Sequence, residues 1–370
     1  MSNRSTTIGV ELHGVRLNLS GEYRALIDHA ATLLEGCVRG PFDSPDLVST
    51  ARWLNRPIAE GENLFADADA DSGSTATDGF GKRMLIGEDE LVWLDTHRVS
   101  NLQLRMRRDG GRPAFDVVYG YAPSARKLAR FPHYEHKKFF DLLRYLVFFP
   151  VAWHLERTRG WVLLHASAVT DGRGAVLFAG PGGSGKTTTC VGLAARAGMR
   201  FVAENLLFCD GRRVFAIPEP VRLTDESLEL LGRDRTPRPF AFHGGLREKR
   251  MFHLAGGADA GGLPARAVFL PRFTSEAYAE PIEPAAACEQ LLAINRLTLE
   301  INDYYWYSAG LDLVWPQADN AANLPAVVKR LTHETPCYAL GIDRFAGVDG
   351  VVDTIVRRLG CKPEAVECVE

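Results

Sequence analysis

The sequence predicts an α/β protein in two regions: an N-terminal α/β domain over residues 1–155, and a mixed sheet with helices over residues 156–370. Three observations point there. The chain has 370 residues, and single hydrophobic cores rarely grow past about 250–300. Residues 174–180 read GAVLFAG, the unbroken apolar run expected of a buried strand. Elsewhere, runs that alternate apolar and polar residues share the chain with segments of helical spacing.

Composition narrows the class. Hydrophobic residues make up 46% and charged residues 24%, the balance of an ordinary globular protein. A formal net charge of −3 gives no general attraction to nucleic acid or an anionic membrane. The seven cysteines, at 37, 190, 209, 288, 337, 361 and 368, are odd in number and form no CxxC pair. They argue against a disulfide framework and a zinc site, and for a reducing compartment. The start, MSNRSTTIGVELHG, lacks a signal peptide's apolar core. The apolar run Phe139–Ala152 is too short to span a bilayer and carries Asp141, Arg144 and Pro150. A cytoplasmic, soluble protein without a membrane partner is expected.

In the first region, Val15–Leu19 alternates as a half-buried strand does. Glu22–Val38 places Leu26, Ile27, Ala30, Leu33 and Leu34 at helical spacing, with Gly36 and Gly40 near its end. Residues 66–82, ADADADSGSTATDGFGK, are too polar to offset ordering and read as a mobile loop. Asp67, Asp69, Asp71 and Asp78 fall at positions 1, 3, 5 and 12 of a calcium-loop pattern. Ser72 stands where that loop needs Gly, and Asp78 where it needs a bidentate Glu, so a solvated loop is the preferred reading. Strands are expected at Arg83–Ile86, Glu90–Leu94, Leu102–Met106 and Phe115–Tyr119. A helix over Phe139–Glu156 should break or kink at Pro150.

The second region carries the chemistry. After GAVLFAG comes Gly180-Pro181-Gly182-Gly183-Ser184-Gly185-Lys186-Thr187, followed by a helical TTTCVGLAARA that Gly198 stops. Strand, glycine-rich loop and helix together satisfy GxxxxGK[ST] in its required context. Glycines let successive backbone N–H groups curl around an anion, and the helix start adds partial positive charge. Lys186 would neutralise the β- and γ-phosphates of a nucleoside triphosphate, Thr187 would offer its hydroxyl to Mg²⁺, and Thr188 follows in the first helical turn. ATP and Mg²⁺ are the expected cofactors.

Two flanking strands refine this. WVLLHASAV (161–169) places His165 fifteen residues before Gly180. RFVAENLLF (200–208) is interrupted by Glu204-Asn205, and polar residues inside an apolar strand mark a bend or a site. Phosphate contacts are also conceivable for Arg222, which could equally pair with Glu219, and for the cluster Arg247, Lys249 and Arg250. The run Tyr304–Tyr307 reads as core packing rather than a partner surface.

The layout resembles the HPr kinase/phosphorylase family and its serine-kinase relatives in LHASAV, VLFAGPGGSGKTTT, the Glu204-Asn205 pair and FAIPEPVRL (215–223). The phrases look like a divergent branch, over roughly residues 160–350. The resemblance implies a P-loop kinase core of the type shared by HPr kinase and phosphoenolpyruvate carboxykinase. It implies that His165 sits beside the γ-phosphate or the acidic pair, and that Glu204 binds Mg²⁺ and accepts the substrate hydroxyl's proton. Asn205 stands where the archetype has a second Asp, and an amide cannot act as a general base. The implied activity is ATP-dependent phosphorylation of a Ser or other hydroxyl on a peptide or small protein. A small-metabolite or natural-product kinase, and a nucleotide-binding regulator without transfer, are the alternatives. Reverse phosphorylase activity rests on the resemblance alone. A GTPase or motor is disfavoured by the absence of an NKxD motif and of an apolar strand ending in Asp-Glu. The acceptor, the ATP or GTP preference and any homo-oligomer stay open.

Overall fold

The computed structural model describes residues 5–65, 74–77, 82–96, 99–131, 133–225, 228–229, 239–241, 250–252, 261–316, 323–343, 345 and 347–360. The fold is mixed α/β, and the chain divides into two compact units.

Unit 1 comprises Met1–Arg159 and Asn302–Ala321. Its sheet contains β1 (Thr6–Leu12), β2 (Val15–Gly21), β3 (Val38–Arg39), β4 (Leu47–Leu54), β5 (Ser74–Thr77), β6 (Arg83–Ile86), β7 (Glu90–Trp93), β8 (Leu102–Asp109) and β9 (Arg112–Gly120). The order is β3-β1-β2-β4-β9-β8-β7-β6-β5, with β4 parallel to β2 and to β9. On β2 the alternation buries Val15, Leu17 and Leu19 on one face. Helix α1 (Arg24–Leu33) buries Leu26, Ile27, Ala30 and Leu33. It ends five residues before Val38, because Gly36 turns the chain at φ +89° and β3 begins at Val38.

The expected loop at 66–82 is partly a strand. Residues 74–77 form β5, the sheet's edge, which pairs antiparallel with β6. Edge pairing is made by backbone hydrogen bonds and needs little apolar side chain, so composition gives it no signal. Asp67, Asp69, Asp71 and Asp78 lie outside the described residues.

The expected kinked helix is continuous. After α2 (Ala125–Arg130), α3 (Tyr134–Leu143) runs through a π-helical stretch, Arg144–Phe148, into α4 (Phe149–Arg159). The Phe149 amide donates to the Arg144 carbonyl, five residues back. Pro150 lacks an N–H and crowds the carbonyl four residues earlier; the wider π turn absorbs that conflict without breaking the helix.

A single cut near residue 156 does not describe unit 1, because residues 302–321 return to it. Tyr304 and Tyr307 are buried among its aromatics. The Tyr145 hydroxyl donates to Asp303 Oδ2 at 2.7 Å.

Unit 2 comprises Gly160–Ile301 and Ala322–Glu370. Its strands are β10 (Val162–Leu164), β11 (Ala166–Thr170), β12 (Ala175–Ala179), β13 (Arg200–Ala203), β14 (Leu207–Cys209), β15 (Arg213–Ala216), β16 (Val221–Leu223), β17 (Pro239–Ala241), β18 (Arg250–Phe252), β19 (Leu263–Thr274), β20 (Tyr278–Pro281) and β21 (Cys337–Asp343). The main sheet runs β10-β14-β15-β19-β12-β11-β13, with β21 and then β20 added beside β19. β12–β19 and β19–β21 are parallel. β16, β18 and β17 form a small sheet of their own.

Residues 162–170 and 200–209 pair antiparallel, and both break at the same level: the first at His165, the second at Glu204–Leu206. Five buried residues make up β12, as a strand between two neighbours requires. Helix α5 (Lys186–Arg196) follows it, and Gly198 ends that segment at φ +63°. Helix Gly347–Leu359 packs its valines against α5 in the same core. Among the described residues no helix is long and apolar enough to cross a membrane.

Candidate phosphate-binding site

The loop between β12 and α5 is shaped by glycine. Gly185, the N-cap of α5, has φ +90°, and a Cβ there would sit 2.9 Å from Ile342 Cδ1. A left-handed backbone already costs an ordinary residue about 1–2 kcal/mol, so this position is doubly closed to a side chain. At Gly180 a Cβ would meet Ser184 Oγ at 2.6 Å. The tight turn, in which the Ser184 amide donates to the Pro181 carbonyl at 3.2 Å, leaves the first-turn amides of α5 without a side-chain cap. Uncapped N-terminal amides are an anion's natural partners.

Lys186 is buried, and its ammonium donates to the carbonyls of Gly180 at 2.6 Å and Pro181 at 3.0 Å. The next residue, Thr187, donates from Oγ1 to Glu204 Oε1 at 2.8 Å. Glu204 is only 2% exposed. Its second oxygen accepts from Ser167 Oγ at 3.0 Å, and Ser167 Oγ in turn accepts the Asn205 amide at 3.3 Å. One serine thus holds both the carboxylate and the strand break that presents it.

Asn205 makes that break with φ +62°, a conformation Asn tolerates better than most residues. Its side-chain amide donates to Glu219 Oε2 at 3.3 Å, and Glu219 is buried. The second position of the polar pair therefore has a conformational reason to be Asn, and it carries a buried carboxylate from beyond β15.

His165 sits at the matching break between β10 and β11. Its backbone amide donates to Asn295 Oδ1 at 2.9 Å, while Asn295 Nδ2 donates to the Leu163 carbonyl at 3.0 Å. One asparagine replaces the ladder bonds lost at the break. The ring is 4% exposed, and neither nitrogen has a partner of standard hydrogen-bond geometry. Burial first, then the Lys186 charge and also that of Arg222, pull its pKa down to about 3, against the opposing effects of Glu300 and the Asn205 backbone. The imidazole is neutral at physiological pH, able to donate from one nitrogen and accept at the other.

That depression has a stability consequence. Above pH 6.5, the group's ordinary pKa, the ring is neutral in folded and unfolded chains alike. As pH falls from there toward 3, the unfolded chain takes up a proton that the folded one refuses, so stability drops. The slope is at most about 1.4 kcal/mol per pH unit. Urea midpoints at pH 7 and pH 4.5 should separate more for the wild type than for His165→Gln. Equal separations would show that this ring is not held neutral.

A cavity of about 350 Å³ opens on the loop from residues 182 to 189, together with His165, Glu204, Asn205 and Arg222. That volume falls within the usual range of small-ligand sites, about 300–1,000 Å³. Gly180 and Pro181 are not on its wall; they contribute the carbonyls that hold Lys186. Arg250 does not reach the cavity. It pairs across the small sheet with Leu223 and makes an ion pair with Asp225 at 2.8 Å. Directly opposed residues share a face and successive ones alternate, so Arg250 lies on the face away from Arg222. Arg247 and Lys249 lie outside the described residues.

Several neighbours were invisible to motif reading: Ser167 and Asn295, which brace the two breaks, and Phe273, Ile342 and Asp343, which line the cavity. A polar residue inside a buried strand was the available signal for Ser167; the others come from elements far away in sequence. No protein-family model matches this chain, and no curated protein matches it.

The donor set suits Mg²⁺. A hydroxyl and a carboxylate 2.8 Å apart are the hard oxygen ligands that ion takes, usually with substrate phosphates and waters completing an octahedron. Among the described residues no group of three or more His, Cys, Asp and Glu could hold a metal unaided.

Proposed function

We propose that unit 2 is an ATP-dependent phosphotransferase of the HPr-kinase-like type, acting on a Ser or other hydroxyl of a peptide or small protein. The observation that carries this reading is the bond from Thr187, at the end of the glycine-rich loop, to the buried Glu204. It joins the phosphate loop to a carboxylate at the break between β13 and β14, with β11 standing between β12 and β13, and a loop hydroxyl with a carboxylate is the pairing that metal-assisted phosphoryl transfer uses.

On this reading the amides of residues 182–188 and the start of α5 take the phosphates. Lys186 leaves the Gly180 and Pro181 carbonyls for the β- and γ-oxygens. Thr187 and Glu204 would hold Mg²⁺, which when bound would offset negative charge on the phosphates. The acceptor hydroxyl attacks phosphorus in line; the bond to the β–γ bridging oxygen breaks, and ADP leaves. Glu204 orients the hydroxyl and takes its proton, since Asn205 cannot. On this reading the neutral His165, which lines the same cavity, donates a hydrogen bond to the transferred group without adding charge beside Lys186. Because the transition state is loose, positioning and charge contribute more than proton abstraction.

The test uses the full chain with γ-labelled ATP, Mg²⁺ and a panel of peptides and small molecules, alongside calorimetry. Wild type should retain MgATP and label a hydroxyl acceptor, while Lys186→Ala should do neither. Equal labelling by both would refute the mechanism. Asn205 favours one competing reading, a regulator without transfer, and MgATP binding with no labelled acceptor would support it.

A further inference from the structure

Unit 1 carries a feature that the chemistry of unit 2 does not use. Strands β2, β4 and β9 run parallel to one another, and at their carboxyl ends four partly exposed aromatic rings follow in a row. Tyr23 stacks on Trp53 at 4.9 Å between ring centres, Trp53 lies against Tyr121 at 4.9 Å, and Tyr121 stacks on Tyr134 of α3 at 6.2 Å. Buried Phe139 meets Trp53 edge-on at 5.3 Å, which anchors the row in the core. The crevice beyond the carboxyl ends of parallel strands is where open α/β sheets place their ligands. Beside the row lies α2, which buries none of its six residues and leaves Leu128 40% exposed. Between Ser124 and Lys137 the charged residues are Arg126, Lys127, Arg130 and Lys137 against Glu135 alone, in a chain of net charge −3. All four cations are exposed. Lys127 Nζ stands 4.5 Å from the centre of the Tyr134 ring, so the basic segment is continuous with the aromatic row. Glu135, the one acid, accepts the Tyr23 hydroxyl at 2.7 Å.

We infer that this face of unit 1 docks an extended, acidic, proline-containing peptide segment. Its pyrrolidine rings pack in the furrows between the edges of the four aromatic rings, and its carboxylates meet Lys127, Arg130 and the neighbouring cations. Aromatic-lined surfaces suit prolines because the extended conformation is set before binding, so little entropy is lost on docking. The basic flank selects an acidic sequence and rejects a basic one. A single-stranded nucleic acid, the other anionic polymer, needs open ring faces on which its bases can stack. Rings stacked on one another offer edges instead. Docking is separate from phosphoryl transfer; that the docked segment belongs to the acceptor rests on the phosphotransferase reading of unit 2.

Fluorescence anisotropy with the full chain and no nucleotide tests this, using short labelled peptides of proline–glutamate, proline–lysine and serine–glutamate repeats, and labelled oligodeoxythymidylate. The wild type should bind the proline–glutamate repeat at least about tenfold more tightly than either other peptide, as complementary charge and a preformed extended chain together require. Tyr134→Ala should weaken that peptide by at least about fivefold, the loss expected of an aromatic anchor. The double variant Lys127→Glu, Arg130→Glu changes exposed side chains only, so its fold should be kept. It should weaken the proline–glutamate repeat by at least about fivefold and strengthen the proline–lysine repeat, a gain that a folding defect cannot produce. Calorimetric MgATP binding should be the same in all three proteins. Equal affinity of the wild type for the three peptides, no peptide binding, tighter binding of the oligonucleotide, or a double variant with unchanged preference would overturn the surface and leave unit 2 as read. Peptide binding by a wild type that retains no MgATP would keep the surface and remove the phosphotransferase.

Discussion

Glu204→Gln should reduce phosphoryl transfer by about 10²–10⁴-fold, the span covered by loss of a positioned proton acceptor or of a transition-state charge contact. The substitution is nearly isosteric, so its effect is chemical. In the protein the carboxylate accepts one hydroxyl at each oxygen, Thr187 at Oε1 and Ser167 at Oε2. Glutamine keeps one acceptor and turns an NH₂ toward the other hydroxyl, which must rotate to accept rather than donate. It also removes a negative charge from a residue that is 2% exposed, where charges interact more strongly than in water. Magnesium titration separates the two roles assigned to Glu204. If it holds the metal, the variant needs more Mg²⁺ for half-maximal rate. If it serves only the acceptor's proton, magnesium dependence is unchanged and the pH–rate profile loses its acid limb. Wild-type rates with unaltered magnesium and pH dependence would remove Glu204 from the chemistry.

The sequence disclosed this site through local signals. The glycines, Lys186 and Thr187 are contiguous, and strand, loop and helix follow one another within twenty-five residues, so no tertiary knowledge is needed to assemble them. Glu204 and Asn205 were visible because two polar residues interrupt an apolar run; the structure shows the reason, a strand break closed by Ser167. His165 was visible by spacing, and its buried, charge-flanked ring is a tertiary fact. What stayed hidden depends on long-range pairing. Phe273 and Asp343 come together because β19 and β21 are parallel neighbours, with Phe273 in register with Ile342. Arg250 looked as eligible as Arg222 until strand register put it on the other face. β5 was hidden for a different reason, since its backbone supplies the pairing and its side chains supply no pattern.

The return of residues 302–321 to unit 1 could not be read from the chain, and it carries the other large expected effect. Asp312→Ala should destabilise unit 1 by about 2–4 kcal/mol. Trp153 Nε1 donates to Asp312 Oδ1 at 3.1 Å, Arg157 Nε donates to the same oxygen at 3.1 Å, and the Arg157 guanidinium also reaches Oδ2. The Arg157 side chain is 8% exposed and the Asp312 side chain 40%. Truncating the aspartate therefore leaves a buried guanidinium without this carboxylate, and an indole N–H without its acceptor. The partial exposure of Asp312 lets water recover some of that loss, which sets the expected figure below the full cost of breaking a buried pair. Asp312→Asn keeps an acceptor for the indole and should lie between the two. The transition of unit 1, followed by Trp fluorescence in urea, should move to lower denaturant in the order wild type, Asp312→Asn, Asp312→Ala, with calorimetric MgATP binding at unit 2 unchanged. Coincident transitions for all three would mean that the contact with α4 does not hold helix Leu299–Val314 in place.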